Sequence, residues 1–369
     1  MSPLFPSEKL LLGPGPCNVS ARVRGAMALP LLGHMDKEFI GIMDECKTML
    51  RRIFDTKNEV TFPVSGTGSA GMDFLMVNFV EPGTRVLVAV NGVFGGRIAN
   101  VSEKIGGTVH REEFPWGTPA TLEKMTAAAE TFRPDIICLV SGETSTGVYQ
   151  DFAGFSELAR EHNALLLADC VTSLAGMPVH LDAWGVDLAY SGTQKCLACP
   201  PGLAPVTVSP HALERHAQRK TPVPSFYLDL NEILKYVGHG TAARAYHHTA
   251  PISMVFALHQ ALAEVLEEGL PARWKRHQDS AAHLIASLRP FGFEPLVDEP
   301  HRLHPLTTLM LPEGFDEAGV RAKLLSDYHI EVGSGLGPLT GKIWRIGLMG
   351  GNASRQSIST LLGALKELM

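Results

Sequence analysis

Several things are missing from this chain, and each absence removes a class of function. There is no basic run, and the formal net charge is −6, so a nucleic-acid partner is not expected. No apolar stretch approaches the roughly 18 residues of a membrane span, so no membrane partner is expected. The opening MSPLFPSEKL lacks the basic-then-apolar order of a signal peptide. The closing LLGALKELM carries no peroxisomal tripeptide. Cysteine is sparse, 6 in 369 residues with no framework spacing, which points to free thiols in a reducing compartment. A cytoplasmic protein is expected. Cys196 and Cys199 form a C-x-x-C, but a zinc ribbon needs a second pair. His247 and His248 are adjacent, not one helical turn apart, so no metal site is expected. Internal repeats and low-complexity segments are also lacking.

What is present is the texture of a globular enzyme. Hydrophobic residues make up 45% and charged residues 19% of the chain, enough for two domains with sizeable cores. Short apolar runs alternate with amphipathic stretches: EVTFPV (59–64), RVLVAV (85–90), DIICLV (135–140), ALLLADC (164–170) and DLAYSG (187–192). Runs apolar on both faces read as buried strands of a parallel α/β sheet. Ligands in such sheets bind beyond the carboxyl ends of the strands. From about residue 251 a long helical stretch leads into a smaller α+β pattern, with TTLMLP, IEVGSG and IWRIGLM as candidate strands. The expected division is an N-terminal arm over 1–15, a large domain over 16–265 and a small C-terminal domain over 266–369.

Three motifs fall at strand ends. Gly66, Gly68 and Gly71 in SGTGSAG fit G-x-G-x-x-G, the dinucleotide fingerprint, which would make the protein an NAD-dependent dehydrogenase. That fingerprint expects an acid about 20 residues on, and the second strand ends instead at Asn91. The loop still suits a single phosphate, with backbone N–H groups at a helix start and the hydroxyls of Thr67 and Ser69 beside them. Its bland alternative is a glycine-rich turn with no ligand. Asp169 ends the run LLLAD; a carboxylate there needs a cationic or hydrogen-bonding partner, or else it caps the next segment. Lys195 in YSGTQKC has small, uncharged neighbours. Alone it reads as a lysine reaching from a loop to solvent. Together, an anion site, a buried carboxylate and a lysine in dry company are the set that pyridoxal 5′-phosphate requires. Desolvation would favour the reactive neutral amine.

On these residues the chain resembles the class V aminotransferases, on the branch of the alanine–glyoxylate and serine–pyruvate or serine–glyoxylate enzymes. The likeness runs over nearly the whole length. It includes LLGPGP (11–16), SGTGS (65–69), EPG (81–83), SGETSTGV (141–148), ADCVTSLAG (168–176), YSGTQK (190–195) with the PPG that follows, YHHT (246–249), GLGP (335–338) and WRIGLMGGN (344–352). The resemblance implies an α/β chain of the pyridoxal-phosphate transferase fold type I, with a mainly parallel seven-stranded sheet and a smaller C-terminal α+β domain. It implies that Lys195 bonds the cofactor and shuttles a proton, and that Asp169 pairs with the ring nitrogen. Thr67, Gly68, Ser69 and Gln194 would hold the phosphate. Thr144 would reach the ring edge, Phe94 stack on one face and Val171 pack on the other. Tyr246 and Thr249 would reach the neighbouring subunit's phosphate, which makes the active unit a homodimer with shared sites. Arg345 would bind the substrate α-carboxylate, close to the backbone of Pro14 and Gly15.

Two departures are visible. Phe94 stands where the animal alanine–glyoxylate enzymes carry Trp, and Ser69 where they carry His. The implied reaction moves the amine of a small amino acid, alanine or serine, to a small 2-oxo acid, glyoxylate or pyruvate, by a ping-pong scheme. Ureidoglycine–glyoxylate, aminophosphonate and pyridoxamine–pyruvate transamination stay open alternatives. A lyase such as a cysteine desulfurase needs a mobile cysteine in the C-terminal part, and no cysteine follows Cys199.

Overall fold

The computed structural model describes residues 4–240 and 243–369; the first three residues of the expected arm lie outside them. Strands are numbered in chain order: β1 (Leu10–Leu12), β2 (Val60–Ser65), β3 (Arg85–Val90), β4 (Thr108–Glu113), β5 (Ile136–Val140), β6 (Gly142–Glu143), β7 (Val148–Tyr149), β8 (Leu165–Asp169), β9 (Leu188–Tyr190), β10 (Leu203–Val208), β11 (Glu294–Pro295), β12 (Leu306–Met310), β13 (Ile330–Ser334) and β14 (Ile343–Gly347). The main sheet has seven strands in the order β2-β10-β9-β8-β5-β3-β4. From β4 to β9 the neighbours run parallel. β10 is antiparallel to both β9 and β2. The chain is therefore an α/β protein with a mainly parallel sheet, as expected.

The central strands form because they are apolar at every position and both faces are covered. β5 and β8 are buried along their whole length, and each fully buried Leu or Ile contributes about 1.5–3 kcal/mol. Five of the seven strands correspond to the apolar runs in the sequence. The other two, β4 and β10, have no counterpart among those runs. β4 reads TVHREE, an edge strand whose charged side chains face solvent. β10 reads LAPVTV and follows directly on a Pro-Pro-Gly that looks like a stop. Its arrival makes β2 an antiparallel edge strand, where the apolar pattern alone suggests a parallel one.

Helix Gly68–Phe79 lies directly on this sheet. A Cβ at Gly71 would stand 3.0 Å from Ala204 Cβ and 3.3 Å from Tyr190 Cβ, so the third glycine of the motif serves helix–sheet contact. β2 pairs with no parallel neighbour. The βαβ crossover that a dinucleotide fingerprint belongs to is therefore not built here.

The single helical stretch expected after residue 251 is two helices, Ile252–Glu268 and Leu270–Leu288. Gly269 breaks it with φ +82°, and Pro271 opens the second helix. Glycine after a helix end and proline in the next first turn is the usual asymmetry of caps. The second sheet runs β1-β13-β14-β12-β11, so residues 10–12 of the arm join it, parallel to β13. Its core is separate from the main one: Leu12, Leu284, Phe293, Trp344, Ile346 and Leu361 cluster together. On these two cores we propose a large and a small domain. The bound expected at 265/266 falls inside helix Ile252–Glu268. Among the described residues, no helix is long and apolar enough to cross a membrane.

Candidate active site

A cavity of about 220 Å³ opens beyond the carboxyl ends of β8 and β9. Asp169 is the last residue of β8, and Lys195 lies five residues beyond the end of β9 at Tyr190. Both line this cavity, with Gly68, Ser69, Phe94, Thr144, Val171 and Gln194 around them. Eight residues expected from the sequence are thus brought to one place from five separate segments.

Asp169 is 4% exposed. One carboxylate oxygen accepts the Val171 N–H at 2.9 Å, and the other accepts the Tyr190 hydroxyl at 2.6 Å. Burial raises its pKa from 3.8 to about 6; these two bonds pull it down, and Glu143 pushes it further up. The local bond to Val171 is the capping role that a lone aspartate suggests, and it leaves the carboxylate facing the cavity as well. Tyr190, opposite Asp169 in the sheet register, received no role in the sequence reading. The signal for it is positional: it closes the next strand in the same sheet.

Lys195 is 8% exposed. Its amine donates to the Pro14 carbonyl oxygen. Burial brings its pKa from 10.5 down to about 8; Arg345 adds to the effect and Asp169 opposes it. Gly15 beside it has φ +103°, and a Cβ there would stand 2.8 Å from Lys195 Nζ. Only glycine both adopts that backbone and leaves room for the lysine. Cys17 and Cys196 flank the lysine, and burial pushes their thiols up to about 11 and about 12. All six cysteines are free and buried, so the C-x-x-C is packing around the lysine loop. Among the described residues no group of three metal-ligating side chains forms.

One end of the cavity is the start of helix Gly68–Phe79. Thr67 occupies its N-cap position but makes no side-chain capping bond, so the helix presents uncapped N–H groups. Thr67 itself is exposed and does not line the cavity. Gln194 Oε1 is buried without a hydrogen-bond partner, and a Cβ on Gly192 would stand 2.8 Å from it. Arg345, on β14 of the small sheet, is 8% exposed. Its Nε donates to Ser334 O at 2.6 Å and its Nη1 to Thr144 O at 3.3 Å, which ties the small sheet to the cavity wall.

Not every expected residue reaches the cavity. Tyr246 is 63% exposed and leans on His34, with ring centroids 5.1 Å apart. Thr249 is exposed, and neither residue lines the pocket. Arg97, Gly142 and Thr172 line it without having been given a role, and Met72, whose helical spacing reads as core, lines it too. Arg97 lies over the Phe94 ring at 4.7 Å.

Comparison with known proteins agrees with this arrangement. A family model described as Aminotransferase class-V matches residues 26–353. A protein of Callithrix jacchus named alanine–glyoxylate aminotransferase is 39% identical over 370 residues, covering 100% of this chain and 89% of that protein. The crystal structure of alanine–glyoxylate aminotransferase from Nostoc sp. superimposes with a TM-score of 0.98 at 45% identity, covering 100% of this chain and 97% of that one. The ureidoglycine–glyoxylate aminotransferase of Bacillus subtilis does so with a TM-score of 0.96 at 36% identity, covering 99% and 94%.

Proposed function

The chain belongs to the class-V aminotransferases and is a transaminase; from that premise we propose that it moves the amine of a small L-amino acid, alanine or serine, to glyoxylate or pyruvate in a ping-pong cycle on pyridoxal 5′-phosphate. The observation that carries the cofactor reading is the pairing of Lys195 and Asp169 across one cavity, with the lysine's pKa lowered to about 8. The residues fit that group. An uncapped helix start suits a phosphate, the Gln194 side chain on the cavity wall has an NH2 that can donate to one, and a carboxylate at the other end suits a ring nitrogen.

When bound, the cofactor supplies an electron-accepting ring that stabilises negative charge at the substrate Cα. The chain supplies the rest. Lys195 would bond the aldehyde through its neutral amine, a minority form at neutral pH that burial makes more accessible by lowering the pKa to about 8. The same amine, once free, would move the proton at the substrate Cα. Asp169, a carboxylate above about pH 6, would hold the proton on the ring nitrogen. Thr67, Gly68, Ser69 and Gln194 would hold the phosphate. Phe94 and Val171 would cover the ring, and Thr144 would meet its edge. Arg345 receives the substrate carboxylate with its planar fork, near the backbone of Pro14 and Gly15.

Tyr246 and Thr249 are exposed and do not line their own cavity, which supports a homodimer in which each subunit completes its neighbour's phosphate site. Six buried free thiols support a cytoplasmic location. Kinship with a ureidoglycine–glyoxylate enzyme keeps that donor as a second reading. One panel tests the substrate: half-reaction rates with alanine, serine, ureidoglycine and bulkier donors, then reoxidation by glyoxylate, pyruvate and 2-oxoglutarate. A donor other than alanine or serine preferred by tenfold or more would overturn the assignment while leaving the transaminase intact.

A further inference from the structure

Helix Val93–Ile105 carries Phe94 into the cavity, yet its own sequence gives it no N-terminal cap. Gly92 holds the cap position and has no side chain to offer. The caps come from a segment some 50 residues away. Glu143 Oε2 accepts the Phe94 N–H at 2.9 Å and the Gly95 N–H at 3.4 Å. Its Oε1 accepts the Ser145 N–H at 2.9 Å and the Ser145 hydroxyl at 2.6 Å. Ser145 Oγ accepts the Val93 N–H at 2.9 Å. Three successive donors of the first turn are thus satisfied by one carboxylate and the hydroxyl bound to it.

The fit also explains Gly92 sterically. Its φ of 173° is open to any residue, so backbone conformation does not require glycine. Space does: a Cβ would stand 2.5 Å from Glu143 Cδ, Glu143 Cγ and Ser145 Oγ. Glu143 is 0% exposed. A buried carboxylate costs several kcal/mol unless it is well bonded, and burial raises its pKa while these bonds oppose the rise. Helix capping alone needs only a neutral Ser or Asn.

What a carboxylate adds is a junction. The next residue, Thr144, lines the cavity, and its carbonyl accepts from Arg345 at 3.3 Å. One side chain therefore joins the start of the helix bearing the ring-facing aromatic to the segment that touches both the ring edge and the substrate arginine. We propose that Glu143 is a positioning residue of the reaction, setting the spacing between Phe94 and the Thr144–Arg345 side of the cavity. This rests on the reading of the cavity as the cofactor site.

Glu143→Gln tests it. The amide has one acceptor oxygen where the carboxylate has two, so two of the four donors lose their partner. The expected results are a rise of about tenfold in the dissociation constant of pyridoxal 5′-phosphate from the apoprotein, an altered visible circular dichroism of the bound cofactor, and a raised KM for the amino donor. Gly92→Ala, which pushes on the same carboxylate, should give the same defects, and the double variant should add little to either. Should Glu143→Gln fail to fold, Ser145→Ala removes one donor and one cap, and it should move the same three readings in the same direction by about threefold. Wild-type cofactor affinity and dichroism in whichever of these variants folds would overturn the proposal. A loss of apoprotein thermal stability with those readings unchanged would do so too, by showing a helix cap and nothing more. Wild-type apoprotein that takes up no pyridoxal phosphate would remove the cofactor reading itself, and this inference with it.

Discussion

Replacing Lys195 by methionine keeps the length and much of the volume of the side chain and removes its ionisable amine. The structure assigns that amine a cost in the cofactor-free protein. Its pKa falls from 10.5 to about 8 on folding, chiefly through burial. At about 1.4 kcal/mol for each pH unit, the folded state is penalised by about 3 kcal/mol wherever the lysine is protonated in both states. Against this stands the bond to the Pro14 carbonyl, whose loss costs about 1 kcal/mol. The net expectation for Lys195→Met at pH 7 is a gain of about 2 kcal/mol for the apoprotein, roughly 3 °C in thermal midpoint for a chain of this size. The gain should depend on pH in one direction. Below about pH 8 both states hold the proton and the penalty is complete. Between about 8 and 10.5 the folded wild type has lost a proton that the unfolded chain retains, so wild-type stability rises with pH relative to the variant. Above 10.5 the advantage is gone and only the lost Pro14 bond remains. Thermal or urea unfolding of both apoproteins at pH 7 and at pH 10.5 measures this. A variant no more stable than wild type at pH 7, or a difference that does not change with pH, would refute the account of a desolvated, activated lysine. The same variant should lose covalent cofactor attachment and turnover altogether.

Other outcomes follow from the same geometry. Asp169→Asn removes the negative charge opposite the ring nitrogen while keeping the Tyr190 contact, and should lower kcat roughly a hundredfold or more, measured in the half-reaction with alanine. Arg345→Lys replaces a planar fork by a point charge and should raise KM for the amino donor by about tenfold, with a smaller effect on kcat. Gly15→Ala places a methyl group 2.8 Å from Lys195 Nζ at φ +103° and should slow cofactor attachment, followed by absorbance after adding pyridoxal phosphate to apoprotein. Mixing Lys195→Ala subunits with Tyr246→Ala,Thr249→Ala subunits should restore some activity if the sites are shared, and none if each subunit works alone.

Much of the cavity was legible because strand ends are legible. Buried strands must be apolar on both faces, so the runs ending at Asp169 and Tyr190 stand out, and polar residues just beyond them draw the eye. β4 and β10 escaped for the opposite reason. An edge strand tolerates charge, as TVHREE does, and a strand that begins after Pro-Pro-Gly is hidden by its own stop signal.

The sequence by itself determined the candidates: the lysine without charged company, the carboxylate ending an apolar run and the glycine-rich helix start stand out by local chemistry, since each feature spans only a few neighbouring positions, whereas the arginine of WRIG came from the family resemblance. Tertiary structure alone decided their relations. Arg345 of the small sheet meets Thr144, 201 residues away, Tyr190 bonds Asp169 because β8 and β9 are neighbours, and Glu143 caps a helix it does not belong to. Such contacts depend on strand order and on the orphaned donors of distant helix ends, and nothing in the spacing along one segment encodes them.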